Sequence, residues 1–174
     1  VVNHPDYVAK INDDNKFPIQ KFSALADHLI KEGIVKKFYI PKECSTETMR
    51  TSHSLEYINH IRNKSLDIKL QKKIGFPIND SVVRRSFIAT GGTVLASKLA
   101  LDSKLACNTA GGSHHATFEF GAGYCVFNDT AVAANYLKNK GYAKKILILD
   151  LDVHQGNGNS EIFKNDKNVL TFSM

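Results

Sequence analysis

Asp150, Asp152 and His154 close an apolar run, Ile146-Leu147-Ile148-Leu149. Spaced two apart, they share one face if the run is a β-strand. Carboxylates at the end of a buried strand need a partner, and a metal ion is the usual one. Aspartate and imidazole suit zinc, or another divalent ion such as iron. A catalytic zinc takes about three protein ligands and an open position for water. Asp152 and His154 supply two. The competing reading has the Asp capping the next loop and the His packing against the strand end. A second unusual element is the tandem His114-His115, set between Gly111-Gly112 and Gly121-Ala122-Gly123. Glycines there let backbone approach a ligand closely. A hydrolase needs a base near neutral pH to deprotonate a metal-bound water, and histidine fits best. Asp150 is placed to orient one of the two imidazoles, as a carboxylate does in a triad. Tyr124, next to Gly123, either lines a narrow apolar slot or is a buried aromatic. Cys125 reads as a small core residue. The chemistry these residues suggest is metal-activated hydrolysis.

The elements that would carry them alternate in type. Phe22, Leu25, Ala26, Leu29 and Ile30 follow helical spacing that Gly33 ends. Val35–Ile40 reads as a short strand stopped by Pro41, and Ser54–Ile61 as a short helix. Lys64–Lys73 reads as a polar surface segment and Gly75–Asp80 as a loop. Asn79-Asp80-Ser81 signals the start of a long helix reaching about Ala100. Its internal Gly91-Gly92 pair implies close packing against a neighbour. Leu105–Asn108 is a candidate strand. Asn128 or Asp129 caps a helix over Thr130–Lys138, ended by Gly141. Ile146 to Asp152 is a strand, His154–Ser160 a loop, Glu161–Lys164 one helical turn, and Val169–Ser173 a further strand. Strands alternating with helices predict an α/β fold with a parallel sheet. Ligands in such sheets sit outside the carboxyl ends of strands, where both unusual loops fall.

Length and composition set the frame. A chain of 174 residues suits one domain, and 43% hydrophobic residues suffice for a core. No apolar run approaches the roughly 20 residues that cross a bilayer, so no membrane partner is expected. Cys44, Cys107 and Cys125 are odd in number and far apart, which points to reduced thiols in a cytoplasmic setting. The net charge of +6 is spread along the chain, so a nucleic-acid partner is not expected.

Three ordered segments carry a family resemblance: Gly111 to His115, Gly121 to Asp129, and Asp150 to Gly158. In residues and spacing they resemble the zinc-dependent histone deacetylase superfamily. His4-Pro5-Asp6-Tyr7, Lys16-Phe17-Pro18, His53 with Tyr57, and Arg85 with Thr90-Gly91-Gly92-Thr93 also look like family positions. His154-Gln155-Gly156-Asn157-Gly158 is similar to the class IV branch and its bacterial relatives. The resemblance implies a three-layer α/β/α fold of the arginase/deacetylase type with a central parallel sheet. It implies hydrolysis of an acetamide on a protein lysine or a similar small amine. It makes Asp152 and His154 zinc ligands, His115 the general base, His114 its electrostatic neighbour and Asp150 the partner of His114. Gly123 and Tyr124 would line the tunnel for the acyl-lysine stem. Backbone carbonyls of Asp150, Asp152 and His154, with Ser173, would form a structural potassium site.

Two departures from the family pattern shape the expectation. Asn157 stands where most branches have an Asp, so it would orient His115 without raising its basicity as a carboxylate would. The family takes its third zinc ligand and a carbonyl-polarising Tyr from segments beyond position 174. Residues 1–174 are therefore expected to be the N-terminal portion of one catalytic domain. The alternative function is an inactive, truncated binding or assembly module. A guanidino hydrolase of the same fold would use two metal ions and more carboxylates, against which the tandem histidines argue.

Overall fold

The computed structural model describes residues 1–174. A 3-10 turn at Pro5–Tyr7 opens the chain. Helices α1 (Lys21–Lys31), α2 (Thr46–Met49), α3 (Leu55–Arg62), α4 (Ile68–Ile74), α5 (Asp80–Ser103) and α6 (Asp129–Asn139) follow. Strand β1 (Ile146–Asp150), helix α7 (Asn157–Phe163) and strand β2 (Val169–Ser173) complete it. β1 and β2 run parallel, with Ile146 beside Val169 and Asp150 beside Ser173. α7 makes the crossover between them. No helix is long and apolar enough to cross a membrane.

The helix starts are chemically explicit. Side chains of Ser54, Asp67, Asn79 and Asn128 each accept a backbone N–H in the first turn of α3, α4, α5 and α6. The long α5 carries Gly91-Gly92 because it is crowded there. A Cβ on Gly91 would strike the Lys42 carbonyl, and one on Gly92 the Tyr7 hydroxyl. Close packing is thus the reason for the pair, as its position predicts.

Two clusters of buried side chains form the interior. The larger has 21 residues, among them Tyr7, Met49, Tyr57, Ile58, Phe87 and Phe127. The smaller has five: Ala131 and Ala134 of α6, Ile148, Phe163 and Val169. It seats one face of the sheet on α6 and α7. On the other face Leu147, Leu149, Leu170 and Phe172 are exposed by 51–68%.

Several expectations need correction. Val35–Ile40 and Leu105–Asn108 are not extended strands. Each contributes one parallel bridge to Val2, through Tyr39 and Asn108. Lys64–Lys73 is not merely polar surface, because α4 spans most of it and buries Ile74 completely. Asn157–Ser160 belongs to α7 rather than to a loop. β1 ends at Asp150, and Leu147 and Leu149 show that it is covered on one face only.

Candidate active site

The segment after β1 is shaped by its own side chains. Asp150 Oδ1 accepts the Asp152 N–H at 3.0 Å, and Asp152 Oδ1 accepts the His154 N–H at 2.7 Å. Two such turns in succession end the extended backbone. Asp150, Asp152 and His154 therefore do not share a strand face. Asp150 turns inward, its side chain 11% exposed, and its Oδ2 meets His114 Nδ1 at 2.6 Å. Asp152 and His154 stay open to solvent and meet each other, Oδ1 to Nδ1, at 2.9 Å. Contact with His154 holds the Asp152 carboxyl below its usual range.

The histidine loop is fixed from three sides. Buried His53 accepts the Asn128 N–H at Nε2 (2.9 Å), so its Nδ1 carries the hydrogen that reaches the Thr117 carbonyl at 2.9 Å. Burial pushes this imidazole down to about 4. Asn128 Nδ2 then donates to the Ala116 carbonyl and to Asn159 Oδ1. The Asn159 N–H donates to the His114 carbonyl at 3.2 Å. Below the loop, Asp129 accepts from the backbone of Gly112 and Ser113 and from Thr93 Oγ1. α7 packs directly on the loop at Gly158, where a Cβ would lie 2.6 Å from the His114 carbonyl.

These constraints set two unlike imidazoles side by side, ring centres 4.1 Å apart. His114 is buried and bonded to a carboxylate. His115 is more open, and its Nδ1 lies 2.7 Å from Asn157 Oδ1. An amide oxygen only accepts, so neutral His115 carries its hydrogen at Nδ1 and leaves Nε2 as an acceptor. Its ring lies so close to Gly123 that a Cβ there would come within 2.6 Å of Cδ2. Gly123 and Tyr124 both have left-handed backbone, φ 53° and 64°. For tyrosine this conformation costs about 1–3 kcal/mol. Carbonyls at the end of α4 hold it: Lys73 and Ile74 accept the N–H groups of Gly123 and Tyr124. The Tyr124 ring thereby meets Phe17 (5.0 Å between centres) and Phe76 (5.2 Å) as an aromatic wall.

A cavity of about 390 Å³ joins these parts. His114, His115, Gly123, Tyr124, Asp152 and His154 all line it. So do Phe17, Lys21, Phe22 and Arg85, which no local sequence pattern marks as site residues. Phe17 and Arg85 stood in segments resembling the family, but their meeting with the histidines depends on long-range packing. Of the four residues proposed for potassium, the Asp150 carbonyl accepts the Met174 N–H and Ser173 Oγ accepts the Gly156 N–H. No group of three or more His, Cys, Asp or Glu side chains converges as a metal site. One carboxylate oxygen and one imidazole nitrogen at 2.9 Å fit zinc as two ligands of its set.

The chain is similar to several known proteins. An uncharacterized protein of Picosynechococcus sp. is 43% identical over the whole chain, which covers 59% of that protein. Histone deacetylase 2 of Arabidopsis thaliana is 28% identical over 91% of the chain and 43% of its own length. The crystal structure of an HDAC homolog complexed with SAHA superposes with a TM-score of 0.81 and 27% identity. It covers 99% of this chain and 49% of that one. The chain thus spans about half the length of the relatives it matches, and its fold is the arginase/deacetylase α/β fold of those domains. The family signature for the histone deacetylase domain runs over residues 15–174, and the chain belongs to that family.

Proposed function

We propose that the protein is a zinc-dependent amidohydrolase that removes acetyl groups from acetyl-lysine in proteins or from similar acetylated amines. The observation that carries this reading is the pair of adjacent imidazoles with different acceptors, Asp150 and Asn157, on the cavity that Asp152 and His154 also line. Asp152 and His154 would hold the zinc, which when bound polarises the amide carbonyl and acidifies a water. His115 takes the proton of the attacking water at Nε2 and delivers it to the leaving amine. Asn157 fixes the tautomer that makes this possible. His114, bonded to Asp150, sets a stabilised imidazole beside the reacting atoms. Gly123 and the Tyr124–Phe17 wall take the apolar stem of the acylated amine. A structural potassium ion at the backbone of Asp150, Asp152 and His154, with Ser173, belongs to the same reading, as does a cytoplasmic location.

The test is acetate release from acetyl-lysine peptides by the zinc-loaded protein, with His115→Ala beside it. Turnover is expected to vanish in the variant; unchanged turnover would overturn the role of His115. The two-ligand set favours one second reading, a binding or assembly module without catalysis. Zinc titration by calorimetry separates the two. Stoichiometric binding lost in Asp152→Ala supports the metal site, and no binding supports the module.

A further inference from the structure

We propose that Arg85 is a carboxylate-binding group of the active cavity, and that the preferred acyl groups end in a carboxylate, as succinyl and glutaryl groups do. The inference rests on the hydrolase reading above, keeps its amide hydrolysis, and replaces acetyl as the preferred acyl group.

Arg85 lies on α5 and is 6% exposed. Its Nε donates to the Tyr7 carbonyl at 2.9 Å. Its guanidinium packs on the faces of Phe22 (4.8 Å) and Phe76 (5.9 Å). Every ion pair that an arginine makes in this protein belongs to Arg62 or Arg84, and none to Arg85. Asp129 is the acid that acts on it most, yet both Asp129 oxygens are taken by Thr93 Oγ1, Gly112 N and Ser113 N. A guanidinium buried without a carboxylate is costly to keep charged. Burial accordingly pushes its pKa down to about 10.

The cavity beside it is short of anions. Lys21, Arg85 and three histidines line it, against the single carboxylate of Asp152, which His154 already engages. Lys21 Nζ lies over the Phe17 ring at 4.7 Å, so a second cation borders the same space. An acetyl group has no carboxylate with which the guanidinium could pair. A carboxylate at the far end of a longer acyl chain matches its planar fork. About 390 Å³ leaves room for such a chain. The reaction stays a hydrolysis. Water adds to the amide carbon, the C–N bond breaks, the amine leaves with a proton, and the acid leaves as a dicarboxylate.

The test compares two amides of one amine, N-butylsuccinamate and N-butylbutanamide, titrated into the protein by calorimetry without added metal. The succinamate is expected to bind on the order of tenfold tighter, and Arg85→Gln to erase the difference. Arg85→Lys keeps the charge and is expected to retain part of it, which guards against a variant that fails to fold. Equal binding of the two amides, or a preference that survives Arg85→Gln, overturns the proposal. Sodium acetate competing as well as the succinamate would support the carboxylate site at Arg85 and overturn the acyl-chain preference, because the chain would then add nothing. In the zinc-loaded protein the succinyl-to-butyryl ratio of kcat/KM is expected to follow the binding ratio. Binding preference without hydrolysis of any amide supports the Arg85 site and counts against the hydrolase reading. Hydrolysis of acetyl-lysine without binding preference does the reverse.

Discussion

The large aromatic cluster and the small sheet cluster hold different parts of the same site. The first, built on α3, α4 and α5, fixes the histidine loop through His53 and Asn128 and the Tyr124 wall through the end of α4. The second, five residues around β1 and β2, carries Asp150, Asp152, His154 and Asn157. Neither region by itself contains both imidazoles together with their acceptors. The side-chain bonds His114–Asp150, His115–Asn157 and Asn128–Asn159, with the Asn159 N–H on the His114 carbonyl, cross between them. A constellation of side chains on such a seam is only as well ordered as the weaker side, since small clusters open before large ones.

Mutations on either side test this contrast. Phe87→Ala empties a buried aromatic position against Phe127 in the large cluster. It is expected to cost about 3–5 kcal/mol in urea denaturation. A loss below about 1 kcal/mol would remove the distinction between the clusters. Acid attacks the same side through His53. Its folded value of about 4 lies below the ordinary 6.5, so the unfolded chain binds the proton more readily. Stability is complete above pH 6.5, falls as pH drops toward 4, and levels off below. The total is about 3 kcal/mol. His53→Gln should flatten that part of a stability–pH profile, and a profile unchanged by it would remove His53 as the cause. At the seam, Asp150→Ala strands the buried His114 Nδ1–H and is expected to cost about 1–3 kcal/mol by thermal melting. Asn157→Ala leaves a more open imidazole to water and should cost less than about 0.5 kcal/mol, although it faces the same cavity. Equal losses at the two dyads would show that their different burial does not matter.

Much of this seam is legible in the sequence because its signals are local. The spacing of Phe22 to Ile30, the Asn79 and Asn128 caps and the Gly91-Gly92 pair each act within a few residues of where they stand. The pairings of His114 with Asp150 and of His115 with Asn157 follow from motif resemblance and occur in the structure. The errors come from elsewhere. α4 hides among lysines because only Leu70 and Ile74 need to face inward. The segments through Tyr39 and Asn108 have strand composition but only Val2 to pair with. The common face expected for Asp150, Asp152 and His154 fails because their carboxylates bond to the backbone that follows. Arg85 and Phe17 join the site through packing that no local pattern announces.

The uncovered side of the sheet bears on how the chain behaves as a solute. Leu147, Leu149, Leu170 and Phe172 form a contiguous oily stripe, and neither strand has a further hydrogen-bonded neighbour. A charge of +6 keeps copies apart at low ionic strength. Salt shortens the reach of that repulsion, and sulfate also strengthens apolar contact. Light scattering of the chain is therefore expected to rise with ionic strength, and sooner in ammonium sulfate than in sodium chloride.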